Sequence, residues 1–307
     1  MKKFLVLTLF LFLLSFSGHA CDGGCTMGGS YLGILPQFHK NFAGVRYTTR
    51  SYTIHTTHTH LHEGMPMTHD DVMDEVYTTA EAWGRFVPFK KVQVLAFVPY
   101  AFNEERTARG TTRYAGLGDI TLLVNYALFN TGDSTKNLFK HSLQLGGGVK
   151  LPTGTHSLHR SEEAYTASLQ PGSGSTDYLL NGIYTLRYGK MGLSNDFTYR
   201  INSQNSDGYK FGNRLSGSGN LFYWYNLENV LTLLPSAGLY YEHAQADEYA
   251  RNHDAQAGDA FFANLGLNVY VKKVVLGATL QLPLSHAQGH HASKANKRTM
   301  ANLSYLF

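Results

Sequence analysis

From residue 41 onward, apolar and polar residues alternate in stretches broken by turn chemistry, and no 3.6-residue period is sustained. Successive side chains of a strand point to opposite faces, so each such stretch has one apolar and one polar side. Residues 274–285 are the clearest case: Val274, Leu276, Ala278, Leu280, Leu282 and Leu284 share a face, opposite Gly277, Thr279, Gln281 and Ser285. Phe261, Ala263, Leu265, Leu267, Val269 and Val271 likewise oppose Asn264, Gly266 and Asn268. The pattern predicts about twelve strands, near 41–57, 73–87, 91–106, 116–130, 140–154, 176–189, 191–204, 209–226, 230–246, 260–272, 274–287 and 297–307. Most exceed the roughly 9–11 residues with which a tilted strand crosses a bilayer.

The connections alternate in length. Pro88-Phe89-Lys90, 130–137, Gly189-Lys190, 226–229 and Lys272-Lys273 are mostly tight, while polar stretches at 58–72, 107–115, 155–175, 203–208, 247–259 and 288–296 are expected to be outer loops. Short periplasmic turns alternating with longer outer loops mark bacterial membrane barrels, and an even strand number puts both termini in the periplasm. In the final strand, Ala301, Leu303, Tyr305 and Phe307 alternate with Met300, Asn302 and Ser304. A terminal aromatic of this kind resembles the signal read by the barrel assembly machinery, an expected partner together with outer-membrane lipid. A secreted β-sandwich also alternates, but it would favour Lys and Glu on its wet faces, where this chain carries Gly, Asn, Ser and Thr. The expected fold is all-β, a transmembrane antiparallel β-barrel of about 12 strands in the cell outer membrane.

Composition agrees: 31 Gly, 20 Tyr and 18 Phe accompany only 16% charged residues in 307. Aromatic girdles and a polar lumen account for that mixture. The start of the chain has the form of an export signal, with Lys2 and Lys3, an apolar run from Phe4 to Phe16, and Gly18-His19-Ala20 as a cleavage site. That run is too short to span a membrane as a helix. The expected organisation is a signal peptide at 1–20, a periplasmic segment with a cysteine pair at 21–40, and the barrel at 41–307. Losing two lysines takes the formal charge from +4 to +2, and no basic patch suggests nucleic acid as a partner.

Charged residues on the polar faces are expected in the lumen: Arg46, Arg50, Glu81, Arg85, Asp119, Lys150, Asp177, Arg187, Asp196, Arg200, Arg214 and Glu242. They can pair across the lumen and brace the wall, or line a polar pore. No Ser-His-Asp spacing, P-loop or dinucleotide fingerprint occurs, so no catalytic site is expected.

Histidines concentrate in and beside the expected outer loops. His58, His60 and His62 alternate with Thr59 and Leu61, which puts three imidazoles on one face of an extended strand. Neutral imidazole is a common ligand for Zn²⁺, Cu²⁺ and Ni²⁺, and Met65, Met67 and His69 stand close enough in the chain to complete a site. Cys21, Cys25 and Met27 form a second soft-ligand group near the expected new N-terminus. Thiolate and thioether favour Cu(I), but a small disulfide loop suits the periplasm equally, and lipidation of Cys21 is a third alternative.

Three stretches carry a family resemblance: YLGILPQFHKNFAGVRY at 31–47, GLGDITLLVNYALF at 116–129, and 143–184 with its VKLPTG and LQPGSGSTDYLL segments. They are similar to a family of Bacteroidetes-type outer-membrane transporters, related to barrels named after the meta-pathway of phenol degradation. The resemblance implies a barrel and a transporter but no chemistry. The expected function is a transporter or channel for a small solute, with a transition metal (Cu, Zn or Ni) captured by His-rich outer loops as the bound solute. The alternatives are a channel for small aromatic or hydrophobic compounds and a barrel-borne hydrolase.

Overall fold

In the computed structural model the described residues are 41–62, 65–132, 138–156, 164–227, 231–248, 257–284 and 291–307. The strands are β1 (Phe42–His62), β2 (Met65–Phe89), β3 (Val92–Thr107), β4 (Gly110–Leu117), β5 (Thr121–Asn130), β6 (Phe139–Lys150), β7 (Asp177–Tyr188) and β8 (Met191–Ile201). After them come β9 (Arg214–Tyr223), β10 (Tyr225–Leu227), β11 (Leu231–Ala244), β12 (Gly258–Val271), β13 (Val274–Pro283), β14 (His291–Ala295) and β15 (Arg298–Leu306). All pairings are antiparallel, the wall follows chain order apart from β4, β10 and β14, and the sheet closes on itself where β1 pairs with β15 and β14. Three wall positions are shared by two segments each: β4 and β5 against β3, β9 and β10 against β11, and β14 and β15 against β1. The result is a closed 12-strand antiparallel barrel.

Alternation sorts the wall. Val45, Tyr47, Leu122, Val124, Leu180, Leu239, Leu265, Leu276 and Leu303 are exposed on the outside, whereas their strand neighbours are buried or half-buried on the inside. Such a continuous apolar exterior has no place in water. It is flanked near the tight turns by Phe86, Phe89, Phe129, Phe139, Tyr188, Tyr223 and Tyr305, and near the other rim by Tyr100, Phe102 and Tyr178, all exposed. Aromatic belts at both interfaces complete the outer-membrane pattern. The tight turns are built by left-handed residues, Gly189 at φ 59° and Lys272 at φ 53°; a glycine takes that conformation without the Cβ penalty.

Several stretches expected as outer loops are strand instead. β1 and β2 stay paired to His62↔Met65, far beyond the predicted ends at 57 and 73, and residues 107–115 are the tight hairpin between β3 and β4. β14, from the 288–296 stretch, pairs with β1. Polarity there does not mark a loop: the backbone ladder of β1 and β2 continues without a break to His62↔Met65, and β-branched Thr suits an extended strand. The expected signal peptide and the 21–40 segment lie outside the described residues.

The wall is stepped at one place. The inner half of β3 pairs with β5 and its outer half with β4, and Gly118-Asp119-Ile120 makes the step between them. On its other side β4 has no strand partner among the described residues; the segment after β6 lies there, with Leu151 N–H donating to Ile120 O (2.8 Å) and Thr155 N–H to Leu117 O (2.9 Å). This segment turns inward through a short 3₁₀ helix, Ala164–Leu169. Asn103 Nδ2 donates to Leu169 O (2.8 Å), and Tyr77 Oη lies 3.3 Å from Ser168 Oγ.

Candidate functional site

The lumen is layered from the periplasmic end outward. Its inner half is apolar: Phe42, Trp83, Leu95, Phe97, Leu123, Ile183, Phe222, Leu234, Tyr270, Val275 and Leu306 form one buried cluster, with Trp224 packed against it. Phe42 and Trp83 meet edge-on at 4.6 Å. Two guanidinium groups sit in this cluster. Arg46 lies 5.1 Å from the Trp83 ring and 5.7 Å from that of Phe97, and Arg85 lies 5.3 Å from that of Phe42. Arg46 also pairs with Glu81, its register neighbour on β2. Desolvated cation–π contacts of this kind stabilise by about 2 kcal/mol.

Above and beside it runs a belt of amides. Asn125 Nδ2 donates to Asn181 Oδ1 (2.8 Å) and Asn181 Nδ2 to Thr198 Oγ1 (3.0 Å). Across the lumen wall Gln281 Nε2 donates to Asn264 Oδ1 (3.0 Å) and Asn264 Nδ2 to Asn220 Oδ1 (3.1 Å). Asp196 accepts from Ser218 within this layer.

The outer layer is ionic. Lys150 Nζ lies 2.8 Å from Asp119 Oδ2 and 2.6 Å from Asp177 Oδ2, with all three side chains buried. The carboxylates use their remaining capacity to hold the inward segment: Ser173 N–H donates to Asp119 (2.9 Å), Gly154 N–H to Asp119 Oδ1 (2.9 Å), and Ser175 Oγ to Asp177 Oδ1 (2.9 Å). On the opposite wall Arg298 grips Glu242, with Nη1 3.0 Å from Oε2, donates to Tyr52 Oη (2.7 Å), and lies 3.9 Å from the Phe262 ring. Tyr240 Oη donates to Glu242 at 3.0 Å. At the rim, Tyr209 Oη donates to Asp247 Oδ2 (2.6 Å). Burial and the adjacent carboxylate push that hydroxyl's pKa up, so it remains a donor at any physiological pH.

Between these layers is a cavity of about 210 Å³. Tyr77, Phe97, Pro99, Ala101 and Pro171 give it an apolar wall, and Arg46, Arg50, Arg200, Arg298 and Lys150 line it with cations. Of the residues expected in the lumen from sequence, Arg46, Arg50, Glu81, Asp119, Lys150 and Arg200 meet at this cavity. Arg85 and Asp196 are buried elsewhere in the wall, Arg214 is buried opposite Arg200 in the β8–β9 register without lining the cavity itself, and Arg187 stacks on Trp224 at 6.0 Å near the inner end. Sequence reasoning missed Arg298 and Glu75. Both were within reach of the alternation: Arg298 shares parity with Asn302 and Ser304, and Glu75 with Glu81 and Arg85.

The expected metal residues divide. Cys21, Cys25 and Met27 lie outside the described residues. On the β1–β2 hairpin, His58 stands opposite His69, His60 opposite Met67, and His62 opposite Met65. Among the described residues there is no cluster of three or more His, Cys, Asp or Glu able to hold a metal ion.

A family model described as "Putative MetA-pathway of phenol degradation" matches residues 37–288. The chain belongs to that family. Among solved structures, the COG4313 outer membrane channel from Pseudomonas putida F1 is similar at TM-score 0.56 and 16% identity, over 91% of this chain and 99% of that one. The toluene transporter TodX of Pseudomonas putida (TM-score 0.42, 9% identity, 94% of each chain) and the CymD monoaromatic hydrocarbon channel (TM-score 0.40, 9% identity, 95% and 94%) are more distant. No curated protein matches the chain. This family member is a β-barrel of the outer membrane.

Proposed function

We propose that the channel passes small single-ring aromatic compounds. The cavity above the apolar inner layer carries this reading. An apolar cavity of about 150 Å³ accommodates benzene, so the 210 Å³ here has room for one substituted ring beside Tyr77, Phe97 and Pro99. Beneath it the Trp83–Phe97–Phe222 layer excludes water. An apolar constriction dewets and so opposes hydrated ions, whereas a ring exchanges hydration for aromatic contact. Substituting Trp83→Asp or Phe97→Asp hydrates this layer; ion conductance should then rise and the preference for ring solutes fall. Unchanged conductance and preference in both folded variants would count against the proposal.

A second reading, capture of Cu²⁺, Zn²⁺ or Ni²⁺ by the outer hairpin, is supported by the register that places His58, His60 and His62 across from His69, Met67 and Met65. Calorimetric binding that disappears in a His58/His60/His62→Ala variant would favour it. The narrower kinship with Bacteroidetes-type transporters rests on the three sequence stretches alone. Export through a cleaved 1–20 signal and insertion through the Phe307 signal belong to the same proposal.

A further inference from the structure

The lumen holds more guanidinium than a neutral hydrocarbon requires. Arg46 pairs with Glu81, Lys150 with Asp119 and Asp177, and Arg298 with Glu242. Arg214 is 5% exposed, and its Nε, Nη1 and Nη2 are all buried with no hydrogen-bond partner; the Nε of Arg50 is in the same condition. A guanidinium carries five N–H donors and cannot deprotonate to escape burial. A buried charge without hydrogen-bonded partners is strongly unfavourable; Glu242 lies within electrostatic reach of Arg50, and Asp177 and Asp119 within reach of Arg200, but none of them is hydrogen-bonded to Arg214. The placement compounds that cost: Arg214 stands directly opposite Arg200 in the β8–β9 register, and like charges directly opposed across a strand pair repel. Arg200 and Arg50 both line the cavity, and Arg200 lies within electrostatic reach of Arg50 and Arg214.

An anion at this point would compensate the buried charge of Arg214 and Arg50. We propose that the outer end of the cavity is a carboxylate site and that the solute is a single-ring aromatic carboxylate. The carboxylate would sit between Arg50 and Arg200, with Arg214 behind Arg200 on the neighbouring strand, and its ring on the Tyr77–Phe97 wall. Planar carboxylates match the guanidinium fork, through two parallel charge-assisted hydrogen bonds. Below, Arg46 over Trp83 and Phe97 and Arg85 over Phe42 repeat the same combination of cation and ring. These give the anion further positive partners through a layer that is otherwise apolar. The inference rests on the single-ring reading and specifies its charge.

The test is calorimetric titration of the folded, full-length protein in detergent with benzoate, benzyl alcohol and inorganic phosphate. Benzoate should bind at least about tenfold more tightly than either of the others, and Arg214→Gln and Arg50→Gln should each weaken it by about tenfold or more, leaving benzyl alcohol unaffected. Arg50 faces open cavity, so Arg50→Gln keeps the test readable if Arg214→Gln fails to fold; retained heat-modifiable gel mobility reports folding. Benzoate binding no tighter than benzyl alcohol overturns the carboxylate site while leaving the ring channel standing. Phosphate binding as tightly as benzoate overturns the aromatic assignment. Benzoate affinity unchanged in the folded Arg50→Gln variant overturns the placement. If neither ring compound binds wild-type protein, the single-ring reading falls as well.

Discussion

Lys150 shows how one residue holds the lumen together. Its ammonium lies between Asp119 and Asp177, and those carboxylates bind the backbone or hydroxyls of Gly154, Ser173 and Ser175 on the inward segment. Removing the only cation of such a triad strands two buried negative charges, at a cost of about 3–5 kcal/mol. Lys150→Met should therefore lower the temperature at which the folded gel band converts to the unfolded one, and raise conductance as the segment loosens. Asp119→Asn, which leaves Lys150 with Asp177, should do both to a smaller degree. A Lys150→Met protein as heat-resistant as wild type would show that the triad does not hold the segment.

At the scale of elements, the inward segment depends on a close backbone crossing. A Cβ built on Gly172 would lie 2.5 Å from the carbonyl carbon of Gly154, and one on Gly154 would lie 2.6 Å from the Cα of Gly172. Gly172→Ala must push the two strands of the segment apart, and larger single-channel conductance is the expected result. Gly182→Ala is the control, since a Cβ there meets the flexible end of Leu145 at 3.3 Å and the Gln144 carbonyl oxygen at 4.0 Å, an ordinary contact. Equal conductance in both variants would contradict the crossing. The strands themselves were legible in the sequence because alternation follows directly from which face meets lipid. Val274 to Leu284 needed nothing beyond a period of two. The step at Gly118-Asp119-Ile120 was not legible, because strand and step carry the same apolar alternation and only pairing partners distinguish them. The outer reach of β1 and β2 escaped for the opposite reason: residues 58–72 carry no sustained apolar–polar alternation, so the period of two no longer marks a strand.

For the whole molecule, alternation put charges such as Arg46, Arg50, Lys150 and Arg200 on the polar faces of their strands, but it carries nothing about how they group. Grouping depends on which strands face each other across the barrel, and Arg298 meets Glu242 from 56 residues away in the chain. The aromatic inner layer was hidden too, since Phe42, Trp83, Phe97 and Phe222 are isolated inward positions on separate strands. Seen together, these layers are an ionic outer end, a cavity of about 210 Å³ and an apolar inner cluster, on which the proposed passage of single-ring solutes rests. The most direct measurement is solute entry into vesicles with a lipopolysaccharide outer leaflet, comparing phenol with glycerol, with and without the protein. The structure predicts that the protein accelerates phenol entry strongly and glycerol entry little. Phenol entering no faster than into protein-free vesicles, or glycerol accelerated to the same degree, would contradict it.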